Sequence, residues 1–291
     1  MKSLYIIVAG ALWGTVGLLA EVLFSCGLNV GEIAFVRFFT SSLFLSAFLF
    51  IKDKKLFKIR AKDLWLFALL GAFNFLTTFC YYECIRVSGG ALACVLLYSS
   101  PVFVLAYLIT FKGKKVTPFS LLSVVTCVCS CAFASDVFSA SFSPVGLLWG
   151  IGSAVCNGAV TLLAKELAER DYNGLTVACY SFAFSSLTAF SFSGGINFKG
   201  LINESNLLAS LLIALGGTVI PYSLYFSSLK AAEEERAVVL SSVEPIVATL
   251  LESLSLRVLP SVNVIIGLIG VFISVFVAGI KDKNLANGKT V

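Results

Sequence analysis

Residues 217–245 read GTVIPYSLYFSSLKAAEEERAVVLSSVEP, and the fold follows from this stretch. Thr218, Tyr222 and Tyr225 stand at i, i+4 and i+7, so they share one face of an otherwise apolar helix. A short charged turn from Lys230 to Arg236 comes next. The following apolar run holds an acid, Glu244, directly before Pro245. The stretch predicts a helical hairpin with a polar stripe on its first arm and an ionisable group inside its second.

The same hairpin occurs earlier. Pro101 and Pro245 are 144 positions apart, and at that one offset Asn74, Thr78 and Tyr81 fall on Thr218, Tyr222 and Tyr225. Arg86 falls on Lys230, Gly14 on Gly158 and Asn29 on Asn173. Ala34, Phe38, Ser41, Ser42 and Leu43 fall on Ala178, Phe182, Ser185, Ser186 and Leu187. Apolar helices resemble one another by chance, but a gapless offset held from the first helix to the second hairpin predicts a duplicated unit.

Composition excludes a water-soluble chain. Charged residues make up 13% of the 291 positions and apolar residues 58%, against roughly 25% charged in a soluble domain. Mean hydropathy is +0.97. There is no histidine, which removes the usual general base, the usual zinc ligand and His-dependent triads. The nine cysteines lie mostly within apolar runs; Cys127, Cys129 and Cys131, spaced by two, fall on different helix faces and read as packing residues rather than a metal site. No basic patch with interleaved aromatics is present to bind nucleic acid.

Apolar runs occur at about 4–24, 33–51, 64–85, 90–111, 119–138, 145–164, 175–192, 207–229, 237–256 and 262–280. Each approaches the roughly 20 residues that cross a hydrocarbon core of about 30 Å. The first run follows Lys2 and imitates a signal peptide, with Leu23-Phe24-Ser25-Cys26 as a loose lipoprotein box. Its counterpart in the second half predicts that it is retained. The expected fold is all-α, with ten membrane-spanning helices as two five-helix repeats, residues 1–144 and 145–291. An odd number of spans per repeat inverts the second unit.

Orientation follows from Lys and Arg in the loops. With the N-terminus inside, the inner segments carry seventeen of the 21 basic residues. They are Lys2; Lys52, Lys54, Lys55, Lys58, Arg60 and Lys62; Lys112, Lys114 and Lys115; Lys165 and Arg170; Lys230 and Arg236; and Lys281, Lys283 and Lys289. The outer ends carry Arg86, Lys199 and Arg257, and Arg37 lies inside a span. Both termini are expected on the cytoplasmic face. The outer segments are a loop at about 194–206 and a joint at 135–144.

Within such a bundle any site must be built from span residues. Gly10 and Gly14, and Gly146, Gly150, Ala154 and Gly158, form small-residue stripes for close helix packing; packing of the first run on the sixth is the surface on which the halves would rock. The duplicated polar stripes are expected to face each other across a central cavity. Pro101 and Pro245 break equivalent helices beside polar groups: Tyr98, Ser99 and Ser100 in one, Ser241, Ser242 and Glu244 in the other. Charges inside spans are costly and mark function. Glu244 lies eight residues past Arg236, about 12 Å into the core at roughly 1.5 Å per residue. Glu252 is deeper along the same run. Arg37 is expected to reach the outer interface, Glu83 to pair with Arg86, and Glu21 and Glu32 to be solvated.

These residues resemble the drug/metabolite transporter superfamily, specifically its EamA-type members. The matching pieces are Ala11-Leu12-Trp13-Gly14, Arg37-Phe38, and the hairpin from Tyr222 through Leu229-Lys230 to Glu244-Pro245. The resemblance covers about residues 4–280. It implies a secondary carrier of small metabolites, often amino acids and related compounds, with a cavity made by runs one, three, four, six, eight and nine. Many members carry Gly-Glu where this chain reads Gly113-Lys114 and Arg257-Val258, so those glutamates have no counterpart.

The candidate substrate-binding set is Trp13, Asn74, Thr78, Tyr81, Tyr98, Asn157, Thr218, Tyr222, Tyr225 and Glu244. The expected function is export of a small metabolite by alternating access. A carrier of lipid-linked or hydrophobic substrates is the alternative, and an intramembrane enzyme or a structural subunit is the competitor from another class. The expected setting is the plasma or inner membrane. Expected partners are the lipid bilayer, a small-molecule substrate and coupling protons, without nucleic acid, cofactor or metal. The chain is expected as a monomer or homodimer.

Overall fold

A chain this apolar has no water to satisfy its backbone within a bilayer, so each run must close its hydrogen bonds as helix. The computed structural model describes residues 2–114, 117–134, 143–192, 204–256 and 259–286, with backbone alone at 89–91, 204–206, 252, 255–256 and 279–286. Among these residues the architecture is all-helical, with no strand. Seven helices are long and apolar enough to cross a membrane: 2–25, 30–52, 61–88, 92–112, 144–169, 174–192 and 207–229. Two shorter apolar helices are Pro118–Ala134 and Val262–Ala278. The outer segments at 135–144 and 194–206 lie largely outside the described residues, as do Lys115, Lys199, Arg257 and Lys289 and the side chains of Glu252, Lys281 and Lys283.

The first span is α1 (Lys2–Trp13) and α2 (Val16–Ser25), followed by α3 (Val30–Lys52), α4 (Leu64–Leu97), α5 (Ser100–Lys112) and α6 (Pro118–Ala134). The second half contains α7 (Pro144–Glu169), α8 (Gly174–Phe192), α9 (Glu204–Ala214), α10 (Ile220–Leu229), α11 (Glu234–Ser241), α12 (Glu244–Leu256) and α13 (Val262–Ala286). A π-helical turn, Leu215–Val219, joins α9 to α10. The halves interleave. Helix α4 packs on α7 and α8, α3 on α8 and α9, α1 on α10 and α11, and α6 on α13.

The third and fourth runs are separate spans, 61–88 and 92–112, joined so tightly that helical hydrogen bonding continues through 86–89. Cys80 and Ser88 lie against Gly152 and Gly146, and Leu96 and Ser100 run back along α7 against Gly150 and Gly158. The break expected at Pro245 is present: the ninth run is two helices, α11 and α12, parted at Ser242–Val243. Pro101 and Pro245 therefore sit in the first turn of new helices, where an N–H has no helical acceptor and its loss costs little. Other expectations are corrected. The glycine stripes do not pack the first run on the sixth. A Cβ on Gly10 would overlap the Ser241 carbonyl, one on Gly14 would lie 2.8 Å from the Glu244 carbonyl, and one on Gly158 would lie 3.6 Å from the Ser100 carbonyl. Each stripe thus lets a helix of one half approach a broken helix of the other.

Glu32 is buried rather than solvated. Asn29 Oδ1 accepts from the Glu32 N–H at 2.9 Å while Glu32 Oε2 accepts from the Asn29 N–H at 2.9 Å, a reciprocal cap on α3. Glu21 is exposed. Glu83 pairs with Arg86 as expected, at 2.6 Å. Cys127 and Cys131 share the buried face of α6 and Cys129 is exposed.

Two ionic clusters tie the halves together at the Lys- and Arg-rich ends. Fully buried Asp63 accepts from Arg60 Nε at 2.7 Å, Tyr172 Oη at 2.7 Å and Arg170 Nη1 at 2.5 Å. Lys114 Nζ donates to both oxygens of buried Glu235, at 2.9 and 3.0 Å, with Ser120 Oγ adding a bond at 3.0 Å. Asp63→Asn removes the charge that three donors share, so it is expected to lower the melting temperature of detergent-solubilised protein by several degrees at pH 7. An unchanged melting temperature would show that this cluster does not hold the halves together.

Candidate functional site

The helices are irregular at one level. The first span breaks at Gly14–Thr15, α4 ends at Leu97 with α5 starting at Ser100, α11 gives way to α12 at Ser242–Val243, and the π turn interrupts the eighth run. Non-helical backbone within a membrane is tolerated where protein or a wet cavity satisfies it. A cavity is present there, about 70 Å³ measured to water centres. Its walls are Trp13, Val16, Arg37, Thr77, Thr78, Tyr81, Leu97, Tyr98, Asn157, Val160, Tyr222, Tyr225, Ser241 and Glu244.

Glu244 opens α12, and its Oε2 accepts from Tyr98 Oη at 2.5 Å. This bond crosses between the two broken helices. Trp13 lies edge-on to Tyr222, ring centroids 5.0 Å apart, and 5.4 Å from Tyr225. Tyr225 is fixed by Thr161 at 3.0 Å and Asn157 by Ser100 Oγ at 3.0 Å. The Trp13 Nε1 is buried without an acceptor among the described residues.

Arg37 is the residue that sequence inspection misassigned. It does not reach the outer interface; it is 4% exposed and borders the cavity. Its Nε donates to Thr218 Oγ1 at 2.7 Å, Nη1 to Tyr82 Oη at 3.3 Å and Nη2 to the Gly217 carbonyl at 3.1 Å. That carbonyl is available because Pro221, four residues on, has no N–H to give it. Thr218 in turn donates to the Ile213 carbonyl, five residues back, at 2.8 Å. Gly217, Pro221 and the π turn together make the acceptor that holds a buried guanidinium.

The ten candidates separate accordingly. Trp13, Thr78, Tyr81, Tyr98, Asn157, Tyr222, Tyr225 and Glu244 line the cavity. Asn74 and Thr218 stand behind its wall: Asn74 Oδ1 accepts from Tyr222 Oη at 2.8 Å and Thr218 accepts from Arg37. These two position wall residues. Arg37, Thr77, Val16, Leu97, Val160 and Ser241 are wall residues outside the candidate set.

Contacts across the halves repeat at the offset of 144. Arg37 to Thr218 at 2.7 Å corresponds to Ser181 with Asn74, where Asn74 Nδ2 donates to Ser181 Oγ at 3.2 Å. Gly14 against Glu244 corresponds to Gly158 against Ser100. Ser41 donates to the Ala214 carbonyl at 3.1 Å, and Ser185 to the Gly71 carbonyl at 2.8 Å, the acceptors standing one position off the offset beside the π turn. Asn29 and Asn173 accept from backbone N–H groups at the starts of α3 and α8. The charged members, Arg37 and Glu244, have neutral counterparts in Ser181 and Ser100.

The chain is similar to known proteins over most of its length. The sequence profile of the EamA-like transporter family matches residues 1–135 and again 144–280. A protein of Salmonella typhimurium (strain LT2), described as the uncharacterized inner membrane transporter YicL, is 26% identical over 264 residues, 88% of this chain and 87% of its own. An uncharacterized transporter of Archaeoglobus fulgidus is 25% identical over 181 residues, 62% of this chain and 64% of its own. A solved crystal structure matches with a TM-score of 0.79 over 98% of each chain at 17% identity, a likeness of fold alone.

Proposed function

The chain belongs to the EamA-like transporter family, and from that premise we propose that it is a secondary carrier moving a small polar metabolite by alternating access through the central cavity. It is a membrane transporter and not an enzyme. The observation that carries the finer proposal is the cavity itself, set where broken helices of both halves meet and bordered by Glu244 and Arg37. Intramembrane charge is costly, and where it persists at such a seam it points to a substrate path.

The carrier is built from ten crossing segments, as inverted five-helix units 1–144 and 145–291, with both termini cytoplasmic. The cross-half contacts recurring at 144 positions support the repeat, and the distribution of Lys and Arg supports the orientation. On that orientation the clusters around Asp63 and Lys114–Glu235 close the cytoplasmic ends of the two halves. Rocking must break them before the cavity opens inward. The cavity of about 70 Å³ measured to water centres suits a small metabolite such as an amino acid or related compound better than a lipid-linked one. Export is the direction the family resemblance favours.

Cysteine labelling from either side of right-side-out vesicles should place the Lys52–Lys62 loop and the C-terminus inside; an external C-terminus contradicts the ten-segment arrangement. Tyr81→Ala and Tyr225→Ala should each lower uptake into proteoliposomes by at least about fivefold, since each removes aromatic surface and a hydroxyl from the wall. Membrane insertion should be unchanged. Normal uptake in both variants would remove the cavity from the pathway.

A further inference from the structure

We infer that Arg37 is itself a substrate-binding residue, and that with Glu244 it makes the cavity a seat for a short zwitterion, the anionic end on Arg37 and the cationic end on Glu244. The inference rests on the cavity being the substrate site and names the chemistry that site selects.

A guanidinium has five N–H donors. Three are taken in Arg37, all by neutral acceptors: Thr218, Tyr82 and the Gly217 carbonyl. Two have no acceptor among the described residues, and the group borders the cavity. Glu244 Oε2 is held by Tyr98, while its Oε1 has no donor among the described residues. No ion pair joins Arg37 to Glu244 among the described residues, so each keeps bonding capacity for a ligand in one small space. Buried charge is costly unless paired. A simple anion would satisfy Arg37 and face Glu244, and a simple cation would do the reverse. Only a ligand carrying both signs meets both groups.

Size narrows the class. The cavity, about 70 Å³ measured to water centres, favours a short ligand. Glycine, alanine and serine are short ligands carrying both charges. The neutral counterparts Ser181 and Ser100 supply neither charge, so the ligand has one orientation in an otherwise two-fold frame.

The test uses the purified full chain in detergent and matched probes. Glycine, L-alanine and L-serine are compared with ethylamine and propionate, which keep the alanine skeleton but lack the carboxylate or the amine. At least one zwitterion should raise the melting temperature and bind at least about tenfold more tightly, a difference of about 1.4 kcal/mol, than both truncated probes. In Glu244→Gln the advantage over propionate should fall below about twofold while the advantage over ethylamine persists, because Arg37 is intact. Equal binding of a truncated probe, or no shift with any of the three zwitterions up to about 10 mM, overturns the assignment. The carrier proposal would survive that outcome if another metabolite is bound and transported. It fails separately if no bound metabolite crosses a liposome membrane.

Discussion

Glu244→Gln is expected to lower both net uptake and substrate exchange by at least about tenfold, equivalent to about 1.4 kcal/mol of lost interaction, with normal insertion and a folded protein. The amide keeps the shape and accepts from Tyr98, whose bond to Glu244 Oε2 is 2.5 Å long, but it cannot offer a negative charge to a cationic group. The two rates separate the roles open to this acid. Loss of pH-driven uptake with intact exchange would make Glu244 a proton carrier alone, because exchange needs no net proton movement. Loss of both makes it a substrate partner. Tyr98→Phe removes one donor and leaves the charge, so its effect should be smaller, about threefold. Normal rates in Glu244→Gln would remove the acid from the site.

Arg37→Leu is expected to have the largest effect on folding. Thr218, the Gly217 carbonyl and Tyr82 would each lose a charged donor in a buried place, and each such loss costs about 1–3 kcal/mol. Thr218 is partly compensated, since it still donates to the Ile213 carbonyl. The Gly217 carbonyl is not, because Pro221 has no N–H for it. The yield of monodisperse protein should fall several-fold and its melting temperature should drop by several degrees. Arg37→Lys keeps a charge but lacks the planar fork, so it should recover only part of the loss. A melting temperature in Arg37→Leu equal to that of the parent would show that the clasp around the π turn is not structural.

Much of the site was legible from one offset. The stripes Asn74-Thr78-Tyr81 and Thr218-Tyr222-Tyr225 named the two helices that face the cavity, since polar side chains at i, i+4 and i+7 have nowhere else to go in lipid. The stripe does not say which members touch the cavity. Asn74 and Thr218 lie one turn behind it because Tyr222 Oη and Arg37 reach across to them. Arg37 was misread because seven residues from the start of α3 is within snorkelling distance of the interface; the missing N–H of Pro221 was the available signal that an acceptor waits deeper. The glycine stripes correctly marked close approach but not the partner, which depends on how the halves interleave. Asp63 was passed over because an acid in a basic loop is usually solvated, and its burial follows from Arg170 and Tyr172 of the other half. The break within the ninth run was visible at Pro245, and the boundary between the third and fourth spans at the polar interruption 86–89.

The central claim is that one cavity is reached alternately from the two sides of the membrane, and counterflow measures that most directly. Purified protein is reconstituted into liposomes loaded with a large excess of an unlabelled ligand found by thermal shift, and a trace of the same labelled ligand is added outside. A carrier with one alternating site must accumulate label transiently above equilibrium, because inward-facing sites are returned full of unlabelled ligand. The account predicts this overshoot, and predicts that it is lost in Glu244→Gln. Label that rises only to equilibrium, or does not enter at all with any bound ligand, would contradict it.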